Sequence, residues 1–196
     1  MSIQSLEKYL PENTLPYLKK WFSDYYIHIK VTKNRNSKLG DYRKLRDQTH
    51  EITLNCTLEP QLFFFVLTHE LAHLIAFEEY GRGIAPHGKE WKTTFGRMII
   101  ESLDIYVNEL RPILQKFSLA PKANFMASPD LVKFFRADNH SDNTQYIEEL
   151  ERGQHFVYNN EKYKMEGLIK KNYLCVNLAS GRRYSFRPLA RVKKCT

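Results

Sequence analysis

Between Leu62 and Phe77 almost every side chain is apolar, and the exceptions are Thr68, His69, Glu70 and His73. Glu59-Pro60 opens this run as a helix, with proline at a tolerated first-turn position, and Gly81 and Gly83 end it. A helix that is apolar on all sides is a buried one. Two imidazoles and a carboxylate on such a helix cost several kcal/mol unless each finds a partner. The residues concerned are His69-Glu70-Leu71-Ala72-His73, which fit the pattern H-E-x-x-H. Residues four apart share a helix face, so both rings can point at one ion while Glu70 holds a water beside it. With seven histidines in 196 residues, roughly 0.02 such matches arise by chance. The competing reading is a pair of core histidines satisfied by backbone carbonyls, with Glu70 exposed. It leaves unexplained why three such groups fall at ligand spacing.

A catalytic metal of this kind takes a third protein ligand and keeps one position open. The glycine- and proline-bearing segment from Gly81 to Pro86 can turn the chain back and deliver His87 at the start of the next helix. Glu90 is the serious competitor. Glu78 and Glu79, five and six residues past His73, are rotated off the ligand face. Three imidazoles favour zinc among the available ions. His28, His50, His140 and His155 show no ligand spacing and read as surface or structural residues. Trp91 reads as packing behind His87.

Around this helix the chain reads as α+β. The first 26 residues are helical in pattern, with Leu15, Leu18, Trp21 and Phe22 at helical spacing and Pro11 and Pro16 as punctuation. Ile27, Ile29 and Val31 alternate with polar residues as in a half-buried strand, and Asp41–Leu45 starts a second. In a third strand Ile52, Leu54 and Cys56 share a face, which makes Cys56 a small core residue. An exposed strand at 52–56 could align an extended substrate by backbone pairing. Helices through Trp91–Leu103 and Val107–Phe117 close the core. Short helices are expected from Ser128-Pro129 through Phe135 and over Thr144–Glu151. From Gly153 onward, short strands with turns at Asn159-Asn160 and Ser180-Gly181 form a small antiparallel sheet. The expected division is a core over 1–120, a connecting segment over 121–152 and a basic β module over 153–196.

Composition narrows the setting. Apolar residues make up 42% and charged residues 27%, a globular balance. No uninterrupted apolar run approaches the ~18 residues of a membrane span, and the first ten residues, MSIQSLEKYL, lack the pattern of a secretion signal. Three widely spaced cysteines suit neither a disulfide framework nor a thiolate-only metal site. The expected location is therefore cytoplasmic, away from membranes. The net charge of +8 is unevenly placed: residues 152–196 hold 11 Lys/Arg against 2 Asp/Glu. Such a module suits a polyanionic partner.

His69-Glu70-x-x-His73, then His87-Gly88-x-x-Trp91, preceded by Gly40-Asp41-Tyr42-Arg43 and the Ile52–Cys56 strand, resembles the SprT-like metalloproteases, the group that includes Spartan. The resemblance covers roughly residues 15–105, where three blocks agree in order and spacing. It differs from the metzincin pattern, since position 76 is Ala and the third histidine comes much later. The resemblance implies a zincin-like core with helices around a small antiparallel sheet, one Zn2+ held by His69, His73 and His87, and Glu70 as the catalytic residue. It also implies proteolysis of DNA-associated proteins, notably those crosslinked to DNA. Many bacterial relatives carry a C-terminal zinc ribbon of two cysteine pairs. Here only Cys175 and Cys195 fall in that region, so a four-thiolate site is ruled out.

Without that metal, the module is expected to be held by Phe156, Tyr163, Leu168, Leu174, Val176, Tyr184 and Phe186. Its cations, among them Lys170, Lys171, Arg182, Arg183, Arg187, Lys193 and Lys194, are the candidates for contacting DNA. Interleaved Tyr163, Tyr173, Tyr184 and Phe186 could stack on unpaired bases. Beside the metal, Tyr80, Arg82 and Arg97 are candidates for stabilising a tetrahedral oxyanion.

Overall fold

The computed structural model describes residues 3–33, 35, 38–124, 127–136 and 144–195. The chain is α+β and divides into two compact units, residues 1–131 and 132–196.

In the first unit, a 3-10 turn at Ile3–Tyr9 and helix α1 (Leu15–Phe22) form the amino-terminal part, with Pro16 in the first turn of α1. Three strands follow: β1 (Ile27–Thr32), β2 (Gly40–Lys44) and β3 (His50–Asn55). The sheet order is β1-β3-β2. β2 and β3 form a tight antiparallel hairpin, closed by the Leu45 N–H donating to the Thr49 carbonyl at 2.8 Å. β1 instead pairs with β3 in parallel, Ile27 opposite His50 and Thr32 opposite Asn55. The sheet is thus mixed rather than antiparallel. Period-two alternation is the same read in either direction, so a strand pattern carries no information on its partner's sense.

Two further expectations change with this topology. β3 is flanked on both sides, so its backbone is already paired and cannot receive an extended peptide. It also ends at Asn55, whose side chain is buried and bonded to the Arg35 and Lys38 carbonyls, while Cys56 beyond it is exposed. On the polar face of β3, buried Glu51 is paired with Lys30 and Arg43 from the flanking strands. Those hydrogen bonds, Lys30 foremost, hold its carboxyl below the ordinary range.

Helix α2 (Pro60–Tyr80) packs on the sheet against β2 and β3. By length and composition it could cross a bilayer, but 67% of its apolar window is buried inside this unit. Phe63, Phe64, Leu67, Leu71, Ala72 and Leu74 are completely buried. Gly81, at φ 80°, ends the helix in the left-handed region that disfavours side chains. Helix α3 (Lys89–Glu101) lies against α2, contributing Trp91, Phe95, Met98 and Ile99 to the core. Helix α4 (Arg111–Ser118) packs on α3, and a Cβ at Gly96 would run into the Ser118 carbonyl oxygen. Helix α5 (Pro129–Arg136) spans the division between the units.

The second unit is a six-stranded sheet ordered β4-β9-β5-β6-β7-β8, all pairs antiparallel. Its strands are β4 (Thr144–Tyr146), β5 (His155–Tyr158), β6 (Glu161–Ile169), β7 (Asn172–Asn177), β8 (Arg183–Phe186) and β9 (Arg191–Lys194). The helix expected over Thr144–Glu151 is instead β4 followed by a 3-10 turn at Ile147–Glu149. Its apolar positions serve the sheet's core rather than a helix face. That core is Ile147, Leu150, Phe156, Tyr163, Met165, Cys175, Phe186 and Val192. Phe156, Tyr163 and Phe186 join it as expected. Leu168 is 66% exposed and Tyr184 41%, while Leu174 and Val176 are only partly buried. A bulge between Met165 and Gly167 shifts the alternation of β6, and Cys175 takes the interior position on β7.

Candidate metal centre

His69 and His73 stand one turn apart on α2, facing the amino-terminal end of α3. The turn between the helices returns the chain so that Gly88 N–H donates to the Ala85 carbonyl at 2.9 Å and Gly88 caps α3. His87 is thereby delivered beside the other two rings. Its Nε2 lies 3.4 Å from Nε2 of His69, and Nε2 of His73 lies 3.3 Å from the same atom. One donor nitrogen from each ring falls within 4.8 Å of the others. Two nitrogens on one tetrahedral zinc, each about 2.0–2.1 Å from it, stand about 3.3–3.4 Å apart. The donor set therefore fits a single cation of that size.

The rivals for the third position are paired elsewhere or lie outside the group of converging ligand atoms. Glu78 pairs with Lys44 at 2.7 Å and Glu79 with Arg97 at 3.0 Å. Glu90 is absent from the metal-ligating group found among the described residues. The Glu79 pairing also engages Arg97, and Tyr80 is half exposed at the end of α2.

Packing fixes the rings. Trp91 is fully buried, with its ring centroid 4.7 Å from those of His69 and His87 and 5.3 Å from that of His73. Its indole N–H is directed at the His69 carbonyl, 3.5 Å away. On its other side His73 faces Tyr42 of β2, the two planes within 3° and their centroids 6.3 Å apart. The Tyr42 hydroxyl is bonded to Nδ1 of buried His50 at 3.2 Å, which gives that histidine a structural place. Burial, then the neighbouring rings, lower His69 to about 3 and His73 to about 4. His87, more exposed, is lowered chiefly by burial. All three are neutral near pH 7, the form in which imidazole can ligate a metal.

Glu70 is only 7% exposed. Burial first, then Asp41, push its carboxyl up to about 8, opposed in part by Lys38, Arg35 and a hydrogen bond from the Tyr42 backbone N–H. The carboxylate lies against Gly40, where a Cβ would stand 2.6 Å from Oε1 and 2.8 Å from Cγ1 of Val66. Gly40 and Tyr42 thus belong to the site, one by making room and the other by donating a hydrogen bond. In the sequence they formed a recognisable block, but nothing local assigned them to Glu70 and His73, some 30 residues on.

In the second unit, the proposed DNA-contacting cations do not form one patch. Lys170 and Lys171 occupy the β6–β7 turn, and Arg187 follows β8 at that same end. Arg182 and Arg183 lie at the opposite end, with Arg183 paired to Glu166 at 3.2 Å. Lys193 is exposed on β9; Lys194 pairs through its backbone with Phe156, and its side chain lies outside the described residues, as does His140. Tyr163 and Phe186 are buried in the core, and Tyr184 packs edge-on against Tyr163.

A buried helix carrying H-E-x-x-H, with a third imidazole returned by the following turn, brings together three histidines that could hold one metal ion. In the comparison with known proteins, residues 12–107 match the SprT-like family. Protein SprT of Erwinia tasmaniensis is 53% identical over 49 residues, 23% of this chain and 28% of the relative. Protein SprT of Enterobacter sp. is 51% identical over 49 residues, and that of Vibrio parahaemolyticus 49%, each covering 23% of this chain and 29% of the relative. The chain therefore spans less than a third of the length of these curated relatives. No solved structure matches the chain.

Proposed function

We propose that this chain is a zinc-dependent endopeptidase acting on DNA-associated proteins, including proteins crosslinked to DNA. The observation that carries the reading is the convergence of His69, His73 and His87 on one point, with buried Glu70 on the same helix turn. His69, His73 and His87 would hold the cation, which when bound would supply Lewis-acid polarisation of a peptide carbonyl and an acidified water, with a pKa of about 7. Glu70 takes the proton of the attacking water and returns it to the leaving amine. The Tyr42 N–H and the space over Gly40 hold that carboxylate in place through the transfer. A site that only organised structure would have no use for such a group. The DNA association rests on the charge of the second unit and on the family.

Glu70→Gln keeps the cation and loses cleavage of an unfolded protein such as casein, and His73→Ala loses both. Equal cleavage by Glu70→Gln and the parent chain would refute the mechanism. Stimulation of cleavage by DNA separates the proposed substrate class from a general metallopeptidase.

A further inference from the structure

The register of the second sheet sorts its residues by face. On β6 the buried Tyr163 and Met165 point into the core, while Lys162 and Lys164 alternate with them and are exposed. Lys162 stands opposite Val157 of β5, and Val157 stands opposite Lys193 of β9. One residue-pair further along, Lys164 stands opposite His155 on one side and Val176 on the other, and Val176 stands opposite Arg183. The face turned from the core thus carries Lys193, Lys162, Lys164 and Arg183 in two adjacent rows across five strands. At about 4.8 Å per strand, the rows extend about 19 Å from β9 to β8. Glu166, paired with Arg183, is the acid beside them.

The aromatic residues lie on the other side. Phe156, Tyr163 and Phe186 are core residues. The partly exposed Tyr158 and Tyr184 pack at the rim of that core, against Phe186 and Tyr163 respectively. The cationic face is completed by Val157, Val176 and the single imidazole of His155, with no Phe, Tyr or Trp platform on it. Single-strand binders combine cations with several aromatic platforms that take up successive bases, whereas a surface dominated by cations chiefly contacts phosphates.

We propose that the outer face of this sheet, centred on Lys162, Lys164 and Lys193, binds the phosphate backbone of duplex DNA without sequence preference. This deepens the DNA association proposed above and replaces stacking on unpaired bases as the mode of contact. Binding of the full-length Glu70→Gln protein to a fluorescent 20-base-pair duplex and to a dT20 strand, followed by anisotropy over a salt series, tests it. The duplex is expected to bind at least as tightly as dT20. Changing Lys162, Lys164 and Lys193 together to Gln should weaken duplex binding at least tenfold at low salt. It should also reduce the slope of log K on log salt by about 2.7, near 0.9 per phosphate contact. The same changes to Lys170, Lys171 and Arg187 should have a smaller effect. Unchanged duplex affinity in the first variant, or dT20 bound tenfold more tightly than duplex, overturns the proposal. So does a face that captures an acidic protein while ignoring both nucleic acids. If the triple variant misfolds, the charge-preserving Lys→Arg triple must retain binding and slope, and each single Lys→Gln change must lower the slope by about one. Casein cleavage by the parent chain and by the triple variant in the active background reports on the peptidase reading separately.

Discussion

Gly40 touches the Glu70 carboxylate so closely that no side chain fits between them. Gly40→Ala must displace either the carboxylate or β2, while leaving the two imidazoles on α2 and the third in the turn before α3 untouched. Its expected result is a fall in casein cleavage of at least tenfold with metal content unchanged; undiminished activity would show that Glu70 does not need this seat. The histidines make a second prediction, for the metal-free protein. Burial lowers His69 from 6.5 to about 3 and His73 to about 4, so below about pH 6.5 the unfolded chain binds more protons than the folded one. Stability is then fully present above that pH and is lost progressively as pH falls toward 4. Glu70, raised to about 8, titrates in the opposite sense over this range, so the test uses chelator-treated Glu70→Gln protein, whose urea midpoint should be lower at pH 5 than at pH 7; an equal midpoint there would contradict the burial of neutral rings. Glu70 and the two helix histidines were legible in the sequence because a four-residue spacing on one helix is a local rule. His87 was separated from Glu90 only by the turn that returns the chain. Gly40 and Tyr42 act across distant segments, and no pattern in their own neighbourhood records that.

Helix α2 joins fold and site, since the same turns that bury Leu67, Leu71 and Leu74 aim His69 and His73. Leu71→Ala removes a fully buried side chain and should cost about 2–5 kcal/mol in denaturant unfolding. A loss below about 1 kcal/mol would mean that the helix is less enclosed than described. Gly96 plays a steric part where α3 passes α4; Gly96→Ala should cost about 1–3 kcal/mol through overpacking against the Ser118 carbonyl. A neutral effect in the same assay would indicate that the two helices separate easily. The α2 pattern was strong because its apolar run is long. The parallel sense of β1, the central position of β3 and the exposure of Cys56 depend on which strands meet, a non-local matter. Around Thr144–Glu151 a few apolar residues fit helix and strand alike, and pairing with β9 decided the outcome.

At the scale of the whole molecule, chemistry and charge are divided between two units, a helix-rich one carrying the histidine triad and a sheet carrying most of the net positive charge. The uneven charge was visible in the sequence, but the face it occupies was not, because the β6 bulge and the strand order decide which side chains point outward. Hydrolysis and DNA contact should therefore fail separately under mutation. Everything assigned to the first unit depends on one cation held by three imidazoles. Metal analysis of the purified protein beside His87→Ala tests this most directly. About one equivalent of zinc is expected in the parent chain, with a large loss of bound metal in the variant while its helical signal persists. Full stoichiometric zinc in His87→Ala, held as tightly as in the parent, would contradict the account.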